Sequence, residues 1–102
     1  MADGHADDRG QRLRKDGDVI VRMWEARAEP YGLAELITWV CDTALPEFEH
    51  DPLHVSSEVF SSTDHRVVVI SKWRSNPRPL PEPPVMLLAR PPHSWDFTQV
   101  DR

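Results

Sequence analysis

The side chains that could carry chemistry are four tryptophans, five histidines, one cysteine and a few arginines set among them. Histidine titrates near neutral pH, so His54 and His93 are the candidate bases. His93 stands in the string PPHSW, where rigid prolines can fix its direction. Arg22 is the candidate for stabilising a developing anion, and Trp24, Trp73 and Trp95 are flat walls for an aromatic ligand. Packing or exposure alone is the simpler reading of each: tryptophans in a core or an interface, His54 on a strand surface, His93 in an exposed loop. His50 and His54 are four apart, but Pro52 interrupts any helix between them, so a metal pair is not expected. Cys41 has acids beside it and no histidine nearby in sequence, which suits packing better than a thiolate. No phosphate loop, nucleophile elbow or dinucleotide fingerprint is present. Neither a cofactor nor a metal is expected.

The elements that must position these groups follow from periodicity. Residues 18–27, DVIVRMWEAR, read as a strand. Alternation puts Val19, Val21 and Met23 on one face, expected to meet a covering helix, and Ile20, Arg22 and Trp24 on the other, expected to line a cavity or a subunit interface. Residues 30–48 read as the main helix, with Leu33, Leu36, Ile37, Val40, Ala44 and Phe48 forming one apolar stripe. Pro30 suits the first turn, and Pro46 should loosen the last. Trp39 falls off the stripe, on the side of Glu35 and Asp42, either lying flat over its neighbours or making a subunit contact.

Residues 50–52 form a turn, 53–61 a strand, 62–65 a hairpin loop, and 66–74, RVVVISKWR, a strand buried on both faces. Residues 75–92 hold seven of the ten prolines, which excludes a long second helix and leaves room for one helical turn at 85–89. Residues 93–100 read as the last strand. Residues 1–17 carry only Met1 and Leu13 as large aliphatic side chains and read as a mobile tail, leaving 18–102 as one domain.

This order, strand, helix, strand, strand, proline segment, strand, matches the α+β, ferredoxin-like split βαβ arrangement, with a four-stranded antiparallel sheet and its second helix reduced or replaced. One helix covers one face. Ile20, Trp24, Val68 and Ile70 are expected to share the other, and a second copy is expected to cover them in a homodimer.

The strings VIVRMWEARAEP, ALPEFEHDPL and VVVISKWRS resemble the antibiotic biosynthesis monooxygenase-like family. That resemblance implies a dimeric α+β barrel and a cofactor-independent oxygenase, or a related cyclase, acting on an aromatic, polyketide-like molecule in secondary metabolism. It makes Trp73 a pocket wall. A non-catalytic small-molecule binder or accessory subunit of the same fold is the alternative. The family's second helix bears a histidine in many members; here Pro81, Glu82, Pro83 and Pro84 stand in that stretch.

Composition narrows the partners. The 102 residues carry 12 Lys+Arg against 17 Asp+Glu, a net charge of −5. From Glu25 to Asp51 seven acids face one base, Arg27. Such a face repels phosphate, so nucleic acid is not an expected partner. No apolar run reaches membrane-spanning length, and the single cysteine suits a reducing compartment; a cytoplasmic protein is expected.

Overall fold

The computed structural model describes residues 19–102. The expected tail over 1–17 lies outside them. Strand β1 (Ile20–Ala28) leads through a 3-10 turn (Pro30–Gly32) into helix α1 (Leu33–Trp39), a π-helical turn (Val40–Ala44) and helix α2 (Leu45–Glu49). Strands β2 (His54–Ser61) and β3 (Arg66–Trp73) form a hairpin. A 3-10 turn (Val85–Leu87) follows the proline segment and runs into β4 (Leu88–Thr98). The sheet is antiparallel throughout, in the order β2-β3-β1-β4. This is the ferredoxin-like strand order, with the second helix reduced to one 3-10 turn.

The sheet is open. The expected α+β barrel is absent, because β2 and β4 each pair on one side only and remain free edges. Small closed barrels need about eight strands, and this chain supplies four.

The helical segment runs on one axis but changes pitch. Pro46 has no N–H to give to the carbonyl of Asp42. The ladder adjusts one residue earlier, where the Leu45 N–H reaches back five residues to the Val40 carbonyl. The loosening expected near Pro46 therefore takes the form of a π turn. Leu36, Val40, Ala44, Leu45 and Phe48 are buried along its inner side.

The face that this helix covers is the reverse of the sequence expectation. Trp24, Ala26 and Ala28 of β1, with Val67, Val69 and Trp73 of β3, form the core beneath the helix. Val21 and Met23 are on the other side, only partly buried. Ile20 and Trp24 accordingly do not share the open face with Val68 and Ile70. The physical reason lies at the end of the strand. The even-numbered set continues into Ala26 and Ala28, whose small side chains let a helix approach closely. The odd-numbered set continues into Glu25 and Arg27, which a dry core would have to neutralise.

Trp73 anchors the core. It is fully buried, its ring lies 5.1 Å from Phe48 and 5.2 Å from His54, and its indole N–H donates to Ser71 Oγ at 2.9 Å. The buried Ser71 hydroxyl thereby satisfies the one polar atom of the tryptophan.

Strand β4 begins earlier than the alternation at 93–100 indicates, at Leu88, and carries Pro91 and Pro92 within it. An edge strand with an irregular ladder tolerates them, and the register shifts across this stretch. The 3-10 turn is pinned to the start of the helix. The Glu29 N–H donates to the Leu87 carbonyl at 2.9 Å, and Tyr31 Oη donates to the Met86 carbonyl at 2.9 Å. Gly32 suits this close approach, since a Cβ would stand a tight 3.1 Å from the Leu87 carbonyl oxygen.

Replacing Trp73 with Ala leaves a cavity under α2 and an orphaned Ser71 hydroxyl. The expected cost is about 3–5 kcal/mol, read as a lowered urea midpoint with an unchanged slope. Retained stability would show that the ring is not the anchor.

Candidate functional site

Two sides of the sheet now have different characters, and the residues singled out from the sequence are divided between them. On the helix side Trp24 and Trp73 are core. His54 is half-buried there, edge-on to Trp73 and Phe48, with Nε2 2.7 Å from Ser57 Oγ. Arg22 lies on the same side, between Ile20 and Trp24 along β1, where Nε and Nη2 donate to the two oxygens of Asp96 at 2.7 and 2.9 Å. His93 and Trp95 are on the opposite, open side, with ring centroids 6.0 Å apart. The structure thus brings Trp73 to His54, and His93 to Trp95. His93 is on the opposite side from Trp73, while Arg22 shares the Trp73 face, in register with Ser71.

The open side is the larger feature. Its middle carries Val21 and Met23 from β1 and Val68 and Ile70 from β3: Met23 stands opposite Ile70, while Val21 is opposite Lys72 and Val68 opposite Glu25. Its borders carry aromatic rings, with Glu58 of β2 among them opposite Ile70. Phe60 of β2 stands opposite Val68, while Trp95 and Phe97 of β4 stand opposite Met23 and Val21. These three rings are 47%, 45% and 52% exposed. Strand alternation explains the arrangement, because every second residue of four strands must point to a face that carries no helix.

One end of this face is ionic. Glu25 is only 5% exposed although no helix lies above it. Arginines cover it instead. Arg90 Nη2 donates to both carboxylate oxygens at 3.0 and 2.8 Å, and Arg66 Nε stands 3.7 Å away. Arg66 also pairs with Asp64, which accepts from Ser62 Oγ. That hydroxyl first, and Arg66 with it, hold the Asp64 carboxyl below the usual carboxylate range. Arg27 completes the row, in register with Arg66 on one side and Arg90 on the other. A hollow of about 360 Å³ beside Phe60, Asp64 and Arg66 opens at the hairpin end of this row.

Sequence reasoning missed Glu25, Arg66 and Arg90, as well as Phe60 and Phe97. A signal was available for Glu25. It follows Val21 and Met23 at the same two-residue spacing, so whichever face holds those residues also holds a carboxylate, and that argues against a buried face. The pairing with Arg90 had no such signal, because it depends on the register shift at Pro91 and Pro92.

Among the described residues no group of three or more His, Cys, Asp or Glu side chains is placed to hold a metal ion. No helix among them is long and apolar enough to cross a membrane.

No family model, no curated protein and no solved structure matches this chain. The likeness to antibiotic biosynthesis monooxygenases is therefore not sustained. The strings that suggested it reflect a strand–helix–strand–strand topology, and the barrel that the likeness implied is replaced by an open sheet. The oxygenase and polyketide assignments, and the placement in secondary metabolism, lose their ground with it.

The Arg22–Asp96 pair makes a pH prediction. Arg22 hydrogen bonds hold the Asp96 carboxyl below its ordinary value, and Asp96 in turn raises the Arg22 guanidinium. A depressed carboxylate stabilises the fold above its unfolded pKa of about 3.9 and loses that contribution as pH falls through the folded value. Asp96→Asn should therefore flatten the acid limb of the stability–pH curve below about pH 4. The effect should be under about 1 kcal/mol, since the pair is partly exposed. Chemical denaturation from pH 3 to 7 reads it, and identical acid limbs would assign the pair no role.

Proposed function

We propose that the protein is a non-catalytic binding protein that works as a homodimer, two copies meeting through the open faces of their sheets. The observation that carries this reading is the set of half-exposed rings, Phe60, Trp95 and Phe97, bordering the aliphatic residues Val21, Met23, Val68 and Ile70. Roughly 100 Å² of each ring remains wet. Six such rings withdrawn from water across a pair offer on the order of 15 kcal/mol at about 25 cal/mol per Å². That is comparable to the roughly 4–15 kcal/mol that association costs, and those aliphatic residues add to it.

The face is also self-complementary. Its centre falls between β3 and β1 in the order β2-β3-β1-β4. A two-fold axis there, parallel to the strands, lays β2 of one copy over β4 of the other. The β2 border with Phe60 then faces the β4 border with Trp95 and Phe97, and Ile70 faces Met23. An isologous contact of this kind needs no other partner. A polyanion fits the face less well, because Glu25 and Asp64 already engage Arg66, and Glu25 engages Arg90.

The binding reading is preferred to a catalytic one because the candidate acid–base and anion-stabilising groups are separated. His54 is tied to Ser57 and Arg22 to Asp96, while His93 faces the other way.

Sedimentation equilibrium tests the pairing. The wild-type chain is expected to be a dimer at concentrations of about 10–100 µM. Trp95→Ala should weaken the dimer at least about tenfold. Val68→Asp should give a folded monomer, with its circular dichroism spectrum retained. A wild-type monomer over the whole range, or a Val68→Asp dimer as tight as wild type, would overturn the reading.

A further inference from the structure

Trp39 belongs to neither the core stripe nor the open face, and its surroundings assign it a use. The proline segment that replaces a second helix is thin. Between it and the outer side of the helix a cleft of about 420 Å³ remains. Glu35, Thr38, Trp39 and Asp42 line one wall, and Pro84 and Leu87 the other. The four helical residues recur at three- and four-residue steps, so they form a second stripe along the helix, beside the buried one. The half-buried indole of Trp39 packs at its inner edge against the core and lies between the carboxylates of Glu35 and Asp42 in the sequence of that stripe.

The opposite wall is fixed. Leu87 is buried and hydrogen-bonded to Glu29 through its carbonyl, and Gly32 allows its backbone to press against the start of the helix. Pro84 has its own backbone angle locked by its ring. The cleft is a largely open groove, and backbone contacts set its Leu87 wall. Neither Glu35 nor Asp42 is in an ion pair among the described residues, although each of the five ion pairs found elsewhere uses an arginine.

We propose that this cleft binds a small organic cation with an aromatic or apolar body. The indole face attracts a cation through its quadrupole. The two carboxylates supply the charge, the threonine hydroxyl a hydrogen bond, and Pro84 and Leu87 an apolar floor for the body of the ligand. The cleft volume falls within the range of about 300–1,000 Å³ typical of small-molecule sites. This names the ligand class of the binding reading above, and it does not depend on the pairing, because the cleft is on the helix layer and the paired face is on the other side of the sheet.

The test uses two probes with one body, 2-phenylethylammonium and 2-phenylethanol, titrated into the full chain by calorimetry with ligand-observed NMR as a second readout. The ammonium is expected to bind about tenfold more tightly than the alcohol. The double variant Glu35→Gln, Asp42→Asn removes charge at exposed positions without touching the core, and should abolish that preference. Trp39→Leu should weaken the ammonium about fivefold or more. The Val68→Asp monomer should bind the ammonium as wild type does. Equal affinity for the two probes, no binding of the ammonium, or a preference that survives the double variant would overturn the proposal while leaving the dimer reading intact. Loss of binding in Val68→Asp alone would also overturn it, because it would move the site to the paired face.

Discussion

One helix can shield one face of a sheet, and that limit organises this molecule. The helical segment over residues 30–49 closes down on Trp73, which meets Phe48 and His54 at 5.1 and 5.2 Å. That contact decides which side of every strand is interior. Once Trp73 points toward the helix, Val69 and Val67 must point the same way, and Ile70 and Val68 must point the other way. Through the cross-strand register the choice passes to β1, where Trp24 and Ala26 go under the helix and Met23 and Glu25 go outside. The open face is thus a consequence of the core, and its aromatic borders and its ionic end come with it.

The same limit explains why the proline segment matters. A second helix would have packed along the first and filled the space beside Trp39. A chain with prolines at 77, 79, 81, 83 and 84 cannot form one, and instead crosses the core edge as a strap in which Pro83 and Leu87 are the buried points. A strap contributes less bulk than a helix. What it lacks in bulk appears as the cleft between Pro84 and Trp39.

The topology was legible in the sequence because it follows from periodicity. The alternation in β1, the β-branched run in β3, the three- and four-residue stripe and the proline block together specify four strands and one helix, although β3, expected to be buried on both faces, is buried on the helix side only. The assignment of faces was not legible in the same way. Val19, Val21 and Met23 are purely apolar, and a reading by hydrophobicity sends them inward. The decision is made by Ala26 and Ala28, whose small side chains allow close packing, and by Glu25, which cannot enter a core without its arginines. Those arginines come from positions 66 and 90, distant in sequence, so their pairing appears only in the folded chain. Trp39 was visible as an outlier on the stripe, but its second wall at Pro84 and Leu87 depends on how the strap returns.

Strand β4 carries a further consequence. A sheet with free edges and a half-exposed apolar face also invites unlimited stacking of strands at its margins, the route to fibrils. Along the margin made by β4, Pro91 and Pro92 remove two backbone donors and the register shift bends the ladder. An incoming strand finds no continuous row of bonds there. The two adjacent prolines act as a stop that makes it safer for this chain to be sticky on one side.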